Sequence, residues 1–152
     1  MGLEPLDSIY DNLILEHCRN PRNPDALEDA DITGDSVNRF CGDEVHLEIA
    51  LDDQGRVARV GIQVEGCSIN HATGSMLSEA ILGKTLDEVA ELSSTFVTMM
   101  RGPEHPEKER RKLGDLESLA GVRQFPVRVK CALLAWDALD EGLASYSCGR
   151  LP

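Results

Sequence analysis

Glu44-Val45-His46-Leu47-Glu48-Ile49-Ala50-Leu51 alternates, with Val45, Leu47 and Ile49 on one side and Glu44, His46 and Glu48 on the other. A period of two is the pattern of a strand with one face buried and one in water. Asp52-Asp53-Gln54-Gly55 follows as a turn, and Arg56 to Val64 alternates again, with Val57 and Ile62 among its apolar members. The two runs therefore pair as an antiparallel hairpin whose loop is longer than two residues. Upstream, Ala30 to Asp35 reads as a short strand ending at Gly34.

Helical periods surround this sheet. Ile9, Leu13 and Ile14 recur at helical spacing from Ser8 to about Arg19, with Asp7 or Ser8 placed to cap and Asn20-Pro21 to stop the helix. Pro21-Arg22-Asn23-Pro24 is an irregular linker. Ile69 to Leu82 is helical in pattern and ends at Gly83, and Thr85 with Glu88 three residues later forms a capping box for a helix from Leu86 to about Met100. Arg101 to Arg111 is charged, contains Pro103 and Pro106, and reads as an exposed connection before a short apolar period from Leu113 to Leu119. Pro126 to Leu143 carries Val129, Leu133, Trp136 and Leu139 as an amphipathic helix closed near Gly142. Strands first and helices later give an α+β fold.

The 152 residues suit one domain spanning 1–152, with residues 144–152 expected as a mobile tail. Hydrophobic residues make up 41% and charged residues 28%, the balance of a soluble globular chain. No apolar run approaches the roughly 18 residues a membrane span needs, and Met1 to Asp7 lacks the basic and apolar segments of a secretory signal. A cytoplasmic location is the resulting expectation. Gly2 is not in a myristoylation motif, because Leu6 stands where Ser or Thr is required. A formal charge of −12 repels phosphate backbones and anionic lipid, which argues against nucleic acid and membrane and favours a protein partner with a basic patch.

Five cysteines, Cys18, Cys41, Cys67, Cys131 and Cys148, are an odd, dispersed set unlike a disulfide framework. Three of them stand at element boundaries or on an inward helical face. Cys41-Gly42-Asp43 opens a strand, Cys67 sits between Gly66 and Ser68 where strand passes to helix, and Cys131 belongs to the last helix. Thiolates with one carboxylate suit zinc or ferrous iron, and Gly42 allows the backbone to turn so that Cys41 and Asp43 face one ion. Cys67, just ahead of a helix N-terminus, is placed where a thiolate is favoured. Scattered cysteines also serve as ordinary core packing, and spacing alone does not choose between the two readings. His71, four residues after Cys67, is an alternate ligand on the same helical face, although a lone histidine is more often a surface or capping group. Cys18 and Cys148 are not counted as ligands. No nucleotide-binding glycine motif, nucleophile elbow or His-Glu-x-x-His is present.

Four stretches together resemble one family: Ile9-Tyr10 through His17 to Asn20-Pro21-Arg22-Asn23, Asn38-Arg39-Phe40-Cys41-Gly42-Asp43, Gly66-Cys67-Ser68-Ile69, and Phe125-Pro126-Val127-Arg128-Val129-Lys130-Cys131-Ala132-Leu133. They are similar to the SufU branch of the SufU, IscU and NifU-N iron–sulfur cluster assembly proteins, over roughly Ile9 to Gly142. Scaffold members of the IscU kind resemble the chain less, since they carry His where it has Lys130 and lack an insertion placed here within about Met100 to Gly121. Two departures stand out: Arg39 replaces a usual proline, and Asn70-His71-Ala72-Thr73-Gly74 replaces a run of small and serine residues.

The resemblance implies a small three-stranded antiparallel sheet with helices packed on it, a SufE/NifU-like fold, with metal ligands at Cys41, Asp43, Cys67 and Cys131. It further implies zinc (Zn2+) as cofactor and a sulfur acceptor, with Cys41 taking persulfide sulfur from a SufS-type cysteine desulfurase that docks against Arg128. A downstream iron–sulfur scaffold or apo-protein would receive the sulfur. The rival expectations are a scaffold building a transient 2Fe–2S cluster on the same ligands, with iron as the alternative metal, and a module whose zinc is only structural.

Overall fold

The structure, a computed structural model, describes residues 12–39, 42–102 and 111–150, for residues 148–150 the backbone alone. In chain order the elements are α1 (Asn12–Arg19), β1 (Ile32–Asn38), β2 (Asp43–Leu51), β3 (Val57–Glu65), α2 (Ser68–Ala80), α3 (Leu86–Arg101), a 3-10 segment (Gly114–Gln124) and α4 (Pro126–Arg150). The expected start of the first helix at Asp7 or Ser8, the prolines at 103 and 106, and the side chain of Cys148 lie outside the described residues.

The sheet is antiparallel in the order β1-β2-β3. Val45, Leu47 and Ile49 of β2 turn inward while Glu44, His46 and Glu48 do not, as the alternation requires. Asp52 builds the turn to β3: its Oδ1 accepts from the Gln54 and Arg56 amides at 2.9 and 3.0 Å, and Gly55 takes φ +77°. The ladder shifts register between Ala50 and Leu51.

α4 runs along β1 and β2, and α2 packs on β3 and α4. Two glycines bring α4 and β1 together. A β-carbon on Gly34 would overlap the Ala138 carbonyl, and one on Gly142 would lie 3.0 Å from the Thr33 carbonyl oxygen. Neither residue is the stop signal expected of it. β1 continues through Gly34 to Asn38, and α4 continues through Gly142 to Arg150, so residues 144–150 of the expected tail are helical.

Other boundaries follow local chemistry. Gly83 closes the end of α2 with φ +79° and donates its N–H to the Val57 carbonyl at 2.8 Å. α3 has the expected capping box, with the Glu88 amide on Thr85 Oγ1 at 3.2 Å and the Thr85 amide on Glu88 Oε1 at 2.9 Å. Leu113, Leu116, Leu119 and Val122 recur every third residue, which is the repeat of a 3-10 helix, and all four are buried. They join one continuous apolar core in which Phe96 of α3 stacks on Trp136 of α4 with centroids 4.6 Å apart. Among the described residues no helix is long and apolar enough to cross a membrane.

Candidate metal centre

Three separate elements deliver side chains to one end of the sheet. The β1–β2 ladder ends on the pair Asn38 and Asp43. Gly42 closes the connection between them with φ +76° and donates its N–H to the Asn38 carbonyl at 2.8 Å. Asp43 falls on the same side of β2 as Val45, so its carboxylate points inward and only 4% of the residue is exposed. After β3, Gly66 turns the chain at φ +143°, and Cys67 stands as the N-cap of α2 in extended conformation, its thiol making no cap bond. Cys131 lies in the second turn of α4, buried, with its Sγ 3.8 Å from the Val127 carbonyl oxygen.

One ligand atom from each of Asp43, Cys67 and Cys131 lies within 4.8 Å of the other two. Metal–sulfur bonds of about 2.3 Å and metal–oxygen bonds of about 2.1 Å at tetrahedral angles space donors roughly 3.5 to 4 Å apart, so the group is the right size for one ion. Two soft thiolates and one hard carboxylate suit zinc or ferrous iron better than calcium or magnesium, which take oxygen donors. Asp43 Oδ2 is 3.5 Å from both the Cys67 amide nitrogen and Asn70 Nδ2, and Gly66 packs against the carboxylate.

Cys41 lies outside the described residues. His71 is not in the group of three; half-buried, it lines a groove with Arg22, Ile62, Val64 and Ser75. Arg128 is half-buried in the first turn of α4, where its backbone N–H donates to the Phe125 carbonyl at 2.8 Å. Beside it Val127 is 73% exposed. Cys18 is half-buried on α1 and donates its thiol to the carbonyl of Ser68 at 3.2 Å, and burial together with the nearby Cys67 pushes its pKa up.

Sequence reasoning passed over two buried polar residues here. Asn70 stands three residues after Cys67, and i, i+3 spacing from a suspected ligand was the signal that marks it. In the sequence His17 stands out only as part of a motif. It donates or accepts at Nδ1 with Ser75 Oγ across 2.6 Å, and Ser75 Oγ also accepts the Arg22 amide at 2.8 Å, so one hydroxyl ties α1, the following linker and α2 together. Burial, reinforced by Arg22, lowers the His17 pKa despite Glu79 3.6 Å away.

This arrangement of sheet, helices and thiol-carboxylate cluster defines a class. The chain belongs to the family of NifU-like N-terminal domains, whose model matches residues 9–132. It is 41% identical over 145 residues to the zinc-dependent sulfurtransferase SufU of Bacillus subtilis (strain 168), covering 95% of this chain and 96% of the relative. It is 33% identical to the iron–sulfur cluster assembly scaffold protein IscU of Streptococcus pyogenes serotype M1, covering 94% of this chain and 87% of that protein. Among solved structures, FiSufU from the thermophile Fervidobacterium islandicum AW-1 superposes with TM-score 0.80 at 32% identity, covering 89% of this chain and 96% of that one.

Proposed function

We propose that the protein is a zinc-dependent sulfur acceptor in iron–sulfur cluster assembly, taking persulfide sulfur from a SufS-type cysteine desulfurase. The observation that carries this reading is the convergence of Asp43, Cys67 and Cys131 within 4.8 Å at one end of the sheet. Cys41 is the fourth donor. Two peptide links from Asp43, its α-carbon lies no farther than about 7 Å from that of Asp43 by chain geometry alone.

Zinc, when bound, keeps the four-donor set together and its thiols deprotonated. The protein's own residues then divide the work. Cys67 and Cys131 are fixed by a helix cap and a helix interior, and Asp43 by its buried contacts, so these three form the stable part of the site. Cys41 is the acceptor: its neighbour in sequence, Gly42, takes φ +76°, and glycine gives the chain there the freedom a swinging thiolate needs. Its thiolate attacks the terminal sulfur of the desulfurase persulfide, forming Cys41–S–SH and returning the desulfurase cysteine as thiolate. Arg128, on the first turn of the helix that carries Cys131, contributes to the docking face. A downstream scaffold or apo-protein takes the sulfur onward.

Incubating the zinc-loaded protein with cysteine desulfurase and cysteine, followed by peptide mass spectrometry, tests the reading. One extra sulfur on Cys41 with zinc retained is expected, and Cys41→Ser abolishes it. Extra sulfur found only on Cys131 would count against Cys41 as acceptor, and transfer that requires added iron and develops visible charge-transfer absorption would favour a scaffold holding its cluster as cargo.

A further inference from the structure

Asn70 occupies the first turn of α2 and is fully buried, at 0% exposure. Its Nδ2 is 3.5 Å from Asp43 Oδ2, while its Oδ1 has no hydrogen-bond partner among the described residues. A buried, unpaired carbonyl oxygen costs about 1–3 kcal/mol, so an apolar side chain of similar size would fill this space at lower cost. Packing therefore does not account for the amide. Its nitrogen does something an apolar group cannot.

We propose that Asn70 is a positioning residue that makes Asp43 a one-oxygen ligand, an inference that rests on the metal-site reading. Two donors, the Asn70 amide and the Cys67 backbone N–H, meet on the same carboxylate oxygen, Oδ2. Gly66 packs against the carboxyl group across both of its oxygens. With both donors on Oδ2, Oδ1 is the oxygen left to face a cation. A single oxygen completes a tetrahedron with three thiolates, whereas both oxygens together would make five donors and suit larger cations that take more oxygens. Asn70 thus sets the coordination number without touching the ion. The amide reaches the carboxylate because residue 70 lies one helical turn beyond Cys67, so the turn that places the thiolate also places the clamp.

Co(II) serves as the probe, since its visible d–d bands are intense in four-coordinate sites and weak in five-coordinate ones. Asn70→Leu keeps the branched shape, at a larger volume, and removes the donor; Asn70→Ser is smaller and polar and leaves the carboxylate out of reach. Both variants should bind Co(II) at least about tenfold more weakly, with weakened and shifted d–d bands. The metal-free Asn70→Leu protein should melt within a few degrees of the parent, because removal of the orphan oxygen offsets the cost of fitting the larger side chain. Unchanged affinity and bands in both variants would overturn the proposal. So would a fall in metal-free stability large enough to account for the metal loss, which marks a purely structural residue. If the unmodified protein takes up neither Co(II) nor zinc, the metal-site reading itself fails, and the inference falls with it; normal uptake with insensitive variants removes the inference alone.

Discussion

Gly66 packs its bare α-carbon against the carboxylate of Asp43, so closely that a β-carbon there would lie 2.6 Å from Oδ2 and nearer still to the rest of the group. The same residue holds φ +143°, a conformation open to glycine and strained for any other residue. Both constraints act at the point where β3 hands over to Cys67. Gly66→Ala should therefore push the carboxylate away from the two thiols. We expect a loss of roughly 2 kcal/mol in stability and a larger proportional loss of bound zinc, read by urea unfolding and by metal analysis of the purified variant. Full zinc content with unchanged stability would show that the site adapts to the intrusion.

Cys67 and Cys131 come from different elements, one capping α2 and one inside α4, so an ion held between them also staples those helices. Cys67→Ser and Cys131→Ser should each lower zinc content and melting temperature together. At free zinc a hundredfold above its dissociation constant, binding stabilises the folded chain by about 2.7 kcal/mol, and that is the scale of loss expected on chelation of the parent protein. The two serine variants, already depleted of zinc, should respond little to chelator. A parent protein indifferent to chelator would leave these thiols as core packing.

His17 gives a pH signature away from the metal. Its ring is buried against Ser75, with Arg22, Glu79, Asp115 and Glu16 as the charges around it, and burial with Arg22 holds its pKa below the ordinary value of 6.5. Above pH 6.5 the ring is neutral whether the chain is folded or not, and the packing stands in full. As the pH falls below 6.5 the unfolded chain takes up its proton first, so stability declines until the folded ring also protonates. The slope from this one group is at most about 1.4 kcal/mol per pH unit. Urea titrations between pH 7.5 and 5 should show it, and His17→Gln, which keeps a donor but does not titrate, should reduce it. Identical slopes in the two proteins would assign the acid sensitivity to other groups.

How much of this was legible in the sequence depended on how local the cause was. The Glu44 to Leu51 alternation and the Thr85–Glu88 capping box are local causes, and both elements formed where expected. Gly34 and Gly142 misled for one shared reason. In a linear reading each glycine resembles an end signal, but their lack of a β-carbon serves a contact between β1 and α4 more than 100 residues apart in sequence. The three-residue repeat from Leu113 to Val122 was visible only in part and not recognised as 3-10, since periodicity arguments weigh 3.6 against 2.0. In the candidate site, motif residues Asp43, Cys67 and Cys131 could be named in advance. For Asn70 the sequence offers only its i, i+3 spacing from Cys67; that its amide reaches a carboxylate 27 residues away is a tertiary fact.

The first turn of α4 supplies the last prediction. Pro126 starts the helix, where its missing N–H is no loss, and this fixes the direction in which the next residues leave the core. Val127 emerges 73% exposed, Arg128 stays half-buried beside it, and Cys131 follows one turn later on the inward side. An exposed apolar side chain next to a guanidinium, one turn from the thiol cluster, is the composition of an interface centre rather than of a solvated face. On the sulfur-acceptor reading, a desulfurase delivering persulfide to the cluster must cover this turn. Arg128→Glu and Val127→Asp should each weaken the complex by about tenfold or more in a calorimetric titration, while zinc content and melting temperature stay near those of the parent, because neither residue supplies a donor. The charge reversal should lose more at low salt than at high salt, since screening removes the repulsion it introduces, whereas the valine substitution should be nearly insensitive to salt. Equal affinity for both variants would place the docking face elsewhere on the protein, and loss of zinc in either would show that this turn supports the site from within.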